Sequence, residues 1–319
     1  MARAQFPDEQ INGQFKRQED AFRRWVRADP STSSGQAAEF PVEAGRYHLY
    51  VSLACPWASG TVIVRKLKRL EDAVGMTVAD PVRDERGWAF RDGPGYSHDS
   101  LNGWAFLSEA YFATDPGYRD RVTVPVLWDT RTKTIVSNSD DDIMRMFETE
   151  FDAVGDGGAL DLYPAQHREE IEALNEWIYE TLNNGVYKAG FATSQRAYEH
   201  SAYRVFETLD KLEERLASRR YLVAPWPVET DWRAFVTLIR FDAVYHGHFK
   251  CNLRRIVDYP NLWGYVRDLY QYGGVADTVN FDHIKRHYYY THEEINPTRI
   301  VPIGPALDLT APHGRERLP

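Results

Sequence analysis

Residues 46–71 read RYHLYVSLACPWASGTVIVRKLKRLE, and this stretch decides the fold. Residues 46–53 alternate and are rich in β-branched and aromatic types, which is the pattern of a strand. Directly after them stand Ala54, Cys55 and Pro56. From residue 61 the period changes. Val62, Ile63, Val64, Leu67 and Leu70 fall on the buried side of a helix, and Arg65, Lys66 and Arg69 form its charged face. Pro56 suits the first helical position, where a missing N–H does no harm. The stretch therefore predicts a strand, a cysteine at a helix N-terminus, and a mostly buried helix.

Working outward, residues 76–80 read as a second strand. Residues 81–120 form a long polar and aromatic segment, and one this long inside a compact domain implies function or cryptic structure. Residues 121–128, RVTVPVLW, read as a strand interrupted by Pro125. A proline there points to an edge, a bulge or a cis bond. A turn at 129–133 leads to residues 134–136 and completes a hairpin. Residues 137–142 offer N-cap candidates and acidic first-turn residues for a helix through Phe147. The order is β-α-β, insert, β-β-α, the order of a thioredoxin-like domain.

Residues 155–161 break the pattern and read as a linker. Beyond them the chain is helical. One stripe runs Ile171, Leu174, Trp177, Ile178 and Leu182, and a second runs Tyr198, Ala202, Val205, Leu209, Leu212 and Leu216. A third helix starts near Thr230–Asp231, and a fourth starts at Pro260. Four regions are expected: an arm over 1–45 with a Ser/Gly-rich stretch at 30–36, a thioredoxin-like domain over 46–154, an all-helical domain over 155–295, and an extended tail over 296–319. No internal repeat is visible.

The chain has 319 residues and two cysteines, Cys55 and Cys251. That number excludes a disulfide framework and a multi-cysteine zinc site. A net charge of −9 argues against nucleic acid as the main partner. The N-terminal residues MARAQFPDEQINGQFKRQED lack the apolar core of a signal peptide, and no apolar run approaches ~20 residues, so a cytoplasmic protein off the membrane is expected.

The chemistry then centres on Cys55. A thiol at a helix N-terminus meets unpaired N–H groups and the positive end of the dipole, and both favour the thiolate, which is the nucleophile. Pro125, after Val124, matches the cis-proline that faces such a cysteine, beside which an extended thiol can pair as an added strand. Ala58 stands where a CxxC motif would have its second cysteine. A single thiol cannot cycle as a dithiol and must borrow a second one from a small molecule. Cys251 has no such context and reads as structural.

Five separated segments, YHLYVSLACPWAS, RVTVPVLWD, NNGVYKAGFATSQ, GHFKCNLRRI and HIKRHYY with INPTRIVPIGP, resemble the glutathionyl-hydroquinone reductases, the Xi class of glutathione transferases. The likeness runs from about Gly13 to Pro305. It implies a thioredoxin-like domain, a helical transferase domain, a homodimer, and reductive removal of a glutathionyl group from a glutathionyl-hydroquinone. It also implies roles. Cys55 is the nucleophile. Tyr187 and Tyr288 match pocket tyrosines that can bond the hydroquinone oxygens and supply protons. Trp88 matches a tryptophan of the thiol side, and Val124 offers backbone hydrogen bonds to the thiol's cysteinyl part.

One departure stands out. Where the family carries Glu-Ser after the hairpin, this chain has Ser139 and Asp140, followed by Asp141 and Asp142. A helix N-terminus suits a carboxylate, but Asp140 puts a negative charge there. Three acids favour hydroxyl or amine donors, so mycothiol is an alternative to glutathione. Equally, Asp140 could only cap the helix, with a nearby arginine such as Arg121 restoring the anion site.

Other signals are weaker. His283, His287 and His292, and the pair His246 and His248, lack a metal motif, so no metal is expected. Arg254 and Arg255 read as an interdomain or dimer salt-bridge element. Asp231 resembles a helix-capping acid, but Val228 three positions back leaves its capping box incomplete. Two alternatives stay open beside the hydroquinone reaction: a general thiol transferase or dehalogenase acting on mixed disulfides or aromatic substrates, and a transferase-like interaction module without activity.

Overall fold

The computed structural model describes residues 10–11, 13–28, 39–155 and 160–319. The Ser/Gly-rich stretch at 30–36 and residues 156–159 of the expected linker lie outside the described residues. The described chain opens with two short antiparallel strands, β1 (Gln10–Ile11) and β2 (Gln14–Phe15). It divides into two compact units. The first holds described residues within 18–161 together with 278–287. The second holds the described residues within 6–17 together with 162–277 and 288–319.

The first unit is built on β3 (Tyr47–Val51), α1 (Pro56–Leu67), β4 (Val74–Val78), α2 (Ser108–Thr114), β5 (Val126–Asp129), β6 (Thr134–Ser137) and α3 (Asp140–Thr149). The sheet order is β4-β3-β5-β6, with β3 and β4 parallel and the other pairs antiparallel. This is the expected thioredoxin-like order. Central strands covered on both faces must be apolar throughout. All four residues of β5 are buried, as are Tyr47, Leu49, Tyr50 and Val51 of β3. A buried fork from Arg46 to Asp129, at 2.9 and 2.6 Å, ties the start of β3 to the end of β5. The helices α1 and α3 pack together through Gly60, where a Cβ would sit 2.6 Å from the Met144 sulfur.

Element ends shift by a residue or more from the sequence reading, and two of the shifts matter for the site. The second strand begins at Val74, two residues earlier than expected. In the segment 121–128, only the part from Val126 joins the ladder, and the Val124–Pro125 bond is cis. The insert does carry cryptic structure. It contains α2, and Asp99 collects the Tyr50 hydroxyl at 3.1 Å and the backbone N–H groups of Leu101 and Asn102. Trp104 stands edge-on to Trp128 with centroids 4.9 Å apart.

The second unit is helical: α4 (Arg168–Ile178), α5 (Gly185–Gly190), α6 (Gln195–Leu216), α7 (Glu229–Arg240), α8 (Pro260–Gln271) and the last residues of α9 (Phe281–Thr291). Two π-helical turns interrupt it. Asn184 N–H bonds the Tyr179 carbonyl before α5, and His246 N–H bonds the Phe241 carbonyl after α7. Such turns shift the register of the following side chains and recur at functional sites. Ser194 caps α6, its hydroxyl accepting from Ala197 N–H at 3.3 Å.

The cap of α7 is more complete than its sequence suggests. Asp231 accepts from Val228 N–H at 2.9 Å, while the Val228 backbone carbonyl, in place of a hydroxyl, accepts from Asp231 N–H at 2.9 Å. The same carboxylate takes Leu222 N–H at 2.9 Å and the Tyr265 hydroxyl at 2.7 Å. The C-terminal tail has no regular structure, and buried Arg315 pins it by donating to the carbonyls of Leu216, Arg220 and Asn261.

Candidate functional site

In the first unit, the extended backbone of Cys55 (φ −76°, ψ 123°) makes it the N-cap of α1, with Pro56 as the first helical residue. Its N–H is held by the Ser52 carbonyl at 3.1 Å, and its own carbonyl accepts from Ser59 N–H at 3.0 Å. The thiol points to the chain that precedes β5 and donates to the Val124 carbonyl at 3.6 Å. Cys55 is half-buried. A partly exposed thiol at a helix N-terminus is the setting in which thiolates form.

Around the start of α3, Ser139 is the N-cap and its hydroxyl accepts from Asp142 N–H at 3.4 Å. Asp142 receives a two-pronged hydrogen bond from Arg23, at 2.8 Å to Oδ2 and 2.6 Å to Oδ1. The carboxylate holds the Arg23 guanidinium protonated well beyond its ordinary range. Asn138, next to the cap, bonds the Phe22 backbone in both directions. Arg121 is buried, and Gln18 bonds both its carbonyl and its N–H. Trp88 is buried in the insert, stacked on His287 at 5.0 Å with Arg83 over its face. Its indole Nε1 is buried with no acceptor among the described residues.

In the second unit, three phenols converge. The hydroxyls of Tyr187 and Tyr288 are 2.5 Å apart, and Tyr245 reaches Tyr288 at 3.0 Å. Tyr187 comes from α5, Tyr245 from the π turn after α7, and Tyr288 from α9. Phe249 packs against Tyr187 and Phe191, and it fits only because residue 190 is glycine: a Cβ there would fall 2.2 Å from the Phe249 ring. Burial first, then the neighbouring phenols, pushes the Tyr288 hydroxyl well above its ordinary pKa, so it is a neutral donor. A cluster of phenols can bond quinone or hydroquinone oxygens and hand on protons.

Comparison with known proteins fits both halves. The family of the glutathione S-transferase C-terminal domain matches residues 195–268. A glutathionyl-hydroquinone reductase of Escherichia coli, YqjG, is 52% identical over 305 residues, covering 95% of this chain and 93% of the relative. The glutathione-bound structure of that protein superposes with a TM-score of 0.89, covering 93% of this chain and 96% of that one. The Xi transferase of Phanerochaete chrysosporium gives a TM-score of 0.87 at 49% identity, covering 91% and 97%. The chain belongs to the Xi class of glutathione transferases, the glutathionyl-hydroquinone reductase family.

In this Xi-class enzyme, Cys55, Val124 and Pro125 come together as their sequence context predicts. Tyr187 and Tyr288 also meet, although 101 residues separate them. The second cysteine is inert: Cys251 is fully buried, and burial pushes its thiol up to about 12. Among the described residues no group of three or more His, Cys, Asp and Glu side chains gathers to hold a metal. His283 and His287 instead bond the carbonyls of Pro94 and Pro81 at 2.7 and 2.8 Å. Arg255 pairs with Asp258 at 2.8 Å and Arg254 with Asp210 at 3.5 Å, so both arginines serve contacts within their own unit.

Sequence reasoning missed three residues. Tyr245 lies six positions before Cys251 and two before the segment GHFKCNLRRI begins, and its aromatic context was the available signal. Arg23 and Arg17 belong to the arm, whose mixed composition gives no hint that it docks on anything.

Among the described residues no helix is long and apolar enough to cross a membrane.

Proposed function

We propose that this Xi-class transferase reduces thiol conjugates of hydroquinones, with glutathione as both the conjugated and the reducing thiol. The observation that carries the reading is the setting of Cys55: N-cap of α1, thiol on the Val124 carbonyl before cis-Pro125, and no second cysteine in the motif. Support also comes from the E. coli relative, a glutathionyl-hydroquinone reductase whose structure has been solved with glutathione bound.

The proposed cycle has two steps. The Cys55 thiolate attacks the conjugate's sulfur. A sulfur–sulfur bond forms, the carbon–sulfur bond breaks, and its electron pair stays on the ring carbon. That carbon takes a proton, and hydroquinone leaves. A second thiol loses its proton and attacks the mixed disulfide, giving the oxidised disulfide and free Cys55 thiolate. Tyr187 and Tyr288 are assigned the hydroquinone oxygens and the proton. Trp88, with its unengaged indole N–H, and the Val124 backbone are assigned the thiol. A homodimer in the cytoplasm completes the reading. Exposed Leu253, Ile300 and Ile303 supply apolar surface for a partner copy.

The test uses glutathionyl-menadiol. One glutathionyl group should appear by mass on the Cys55 peptide, and added thiol should remove it as menadiol is released. Faster turnover of a simple mixed disulfide would favour the general thiol transferase. No turnover on any conjugate would favour the interaction module.

A second reading concerns the thiol. Asp140, Asp141 and Asp142 all stand in the first turn of α3, where Arg23 pairs with Asp142. A sugar-based thiol such as mycothiol presents hydroxyl donors to acids at that position. Steady-state rates with both thiols decide it, and comparable or better efficiency with glutathione removes this second reading.

A further inference from the structure

The strand β2 and the two residues after it form a strap over α5. The Gly13 carbonyl accepts from Thr193 N–H at 3.2 Å, and Gly13 (φ +80°) sits against Ser194, with a Cβ meeting its hydroxyl at 3.0 Å. Phe15 is buried between the rings of Tyr187 and Phe191, at 6.5 and 5.5 Å. These contacts deliver Arg17. Its guanidinium carbon lies 4.9 Å from the Tyr187 ring centroid and 5.3 Å from that of Phe15. Its Nε donates to Asn184 Oδ1 at 3.2 Å, so the group is fixed from both sides. Asn184 itself belongs to the π turn that leads into α5.

We propose that Arg17 is a positioning residue for Tyr187, holding a fixed positive charge over the phenol that delivers the proton to the departing hydroquinone. The inference rests on the role proposed above for Tyr187. A cation over the ring face is attracted to the π-system and more strongly to a phenolate. When Tyr187 gives up its proton, the charge left on its oxygen is offset by Arg17 on one side. On the other it accepts the Tyr288 hydroxyl at 2.5 Å. The second thiol, deprotonated on attack, returns one proton to the cycle.

The other charged or titratable groups near Tyr187 do not duplicate this. Tyr288 is kept neutral by burial, and Tyr245 is engaged with its hydroxyl at 3.0 Å. His248, buried and bonded to His292 at 3.1 Å, has its pKa lowered to about 4. Arg240 acts on Tyr288 from the end of α7, and Lys188, next to Tyr187, is paired with Glu180. Arg17 is the cation seated on the ring itself.

Two measurements test the proposal. In the first, the full-length protein carries ¹³Cζ-tyrosine, and the Tyr187 resonance is identified by its loss in Tyr187→Phe. Arg17→Gln should move its ionisation to higher pH by about one unit, with Arg17→Lys between it and wild type. An unchanged titration in folded Arg17→Gln overturns the proposal. In the second, kcat on glutathionyl-menadiol should fall about tenfold in Arg17→Gln, with KM within about twofold and the basic limb of the pH profile shifted upward. That loss should vanish in the Tyr187→Phe background. A loss that persists there would mean Arg17 only braces the fold. Should Arg17→Gln fail to fold, Asn184→Leu, which removes the anchor of the guanidinium, should give the same shift in smaller measure, and no shift overturns the proposal. If wild type itself does not turn over, the functional reading fails while the resonance measurement still judges Arg17.

Discussion

The thiol of Cys55 lies 3.6 Å from the carbonyl oxygen of Val124, the residue whose bond to Pro125 is cis. Two segments 69 residues apart in sequence thus form one small structure: a helix N-terminus that favours a thiolate, and an extended backbone beside which a thiol compound can lie. Cys251 is the contrasting case, with its sulfur sealed in the second unit and its thiol held protonated.

The contrast predicts selective reactivity. Iodoacetamide should alkylate Cys55 in the native protein and leave Cys251 unmodified until the chain unfolds. The pH dependence of alkylation should have its midpoint below the free-thiol value of ~8.5. Cys55→Ser should retain less than about a tenth of wild-type turnover with an unchanged circular dichroism spectrum, as expected for loss of an essential nucleophile. Cys251→Ala should stay active. Peptide mapping after alkylation reads the first outcome, and labelling of Cys251 in folded protein would contradict it.

The phenol cluster predicts coupled losses. Tyr187→Phe and Tyr288→Phe each remove one end of the 2.5 Å hydroxyl contact. Each should lower kcat on a glutathionyl-hydroquinone by about 10²-fold, the lower range for a lost proton donor. The double variant should be little worse than either single one, because the two hydroxyls act as a unit. Tyr245→Phe, which removes the 3.0 Å bond to Tyr288 but leaves the Tyr187–Tyr288 contact, should cost less. Additive losses in the double variant would mean that the two phenols work independently.

Much of this was legible in the chain. The change of period across Cys55 and Pro56 located β3 and α1, and the hydrophobic stripes located α4, α6, α7 and α8. What was not legible depends on contacts far apart in sequence. The insert hides α2 because its order comes from Asp99 collecting backbone N–H groups and from Trp104 against Trp128, neither of which leaves a periodic pattern. α5 is six residues long, too short to show a stripe. Arg23 is tied to Asp142 across 119 residues, so the cation that meets the acidic run could not be read from the sequence around it. Asp231 looked poorly capped because the sequence shows side chains, whereas the Val228 partner is a backbone carbonyl.

A third prediction concerns acid stability. His248 is 4% exposed, and burial lowers its pKa to about 4, below the ordinary 6.5. Between those values the unfolded chain binds a proton that the folded one refuses. The stability contributed by neutral His248 is therefore full above about pH 6.5 and is lost as pH falls towards 4. Replacing the ring with Gln should remove that dependence. Between pH 7 and 4.5, wild type should lose about 2 kcal/mol more than His248→Gln, at 1.36 kcal/mol per unit. Urea unfolding at the two pH values measures it, and equal losses would contradict the assignment.

The fourth concerns the hub of the helical unit. The Asp231 carboxylate accepts Val228 N–H, Leu222 N–H and the Tyr265 hydroxyl in a fully buried setting, and burial raises its pKa to about 6. Removing it would strand three donors at once. A buried donor left without its partner costs about 1–3 kcal/mol, so Asp231→Ala should destabilise the protein by roughly 3 kcal/mol or more. Asp231→Asn keeps one carbonyl acceptor and should lose less than half of that. The Tyr265→Phe variant removes only one partner and leaves the carboxylate its two backbone donors, so its cost should be near 1 kcal/mol. Denaturant unfolding of the three variants gives the ordering, and an Asp231→Ala variant as stable as Tyr265→Phe would mean that the cap carries no special weight in the helical unit.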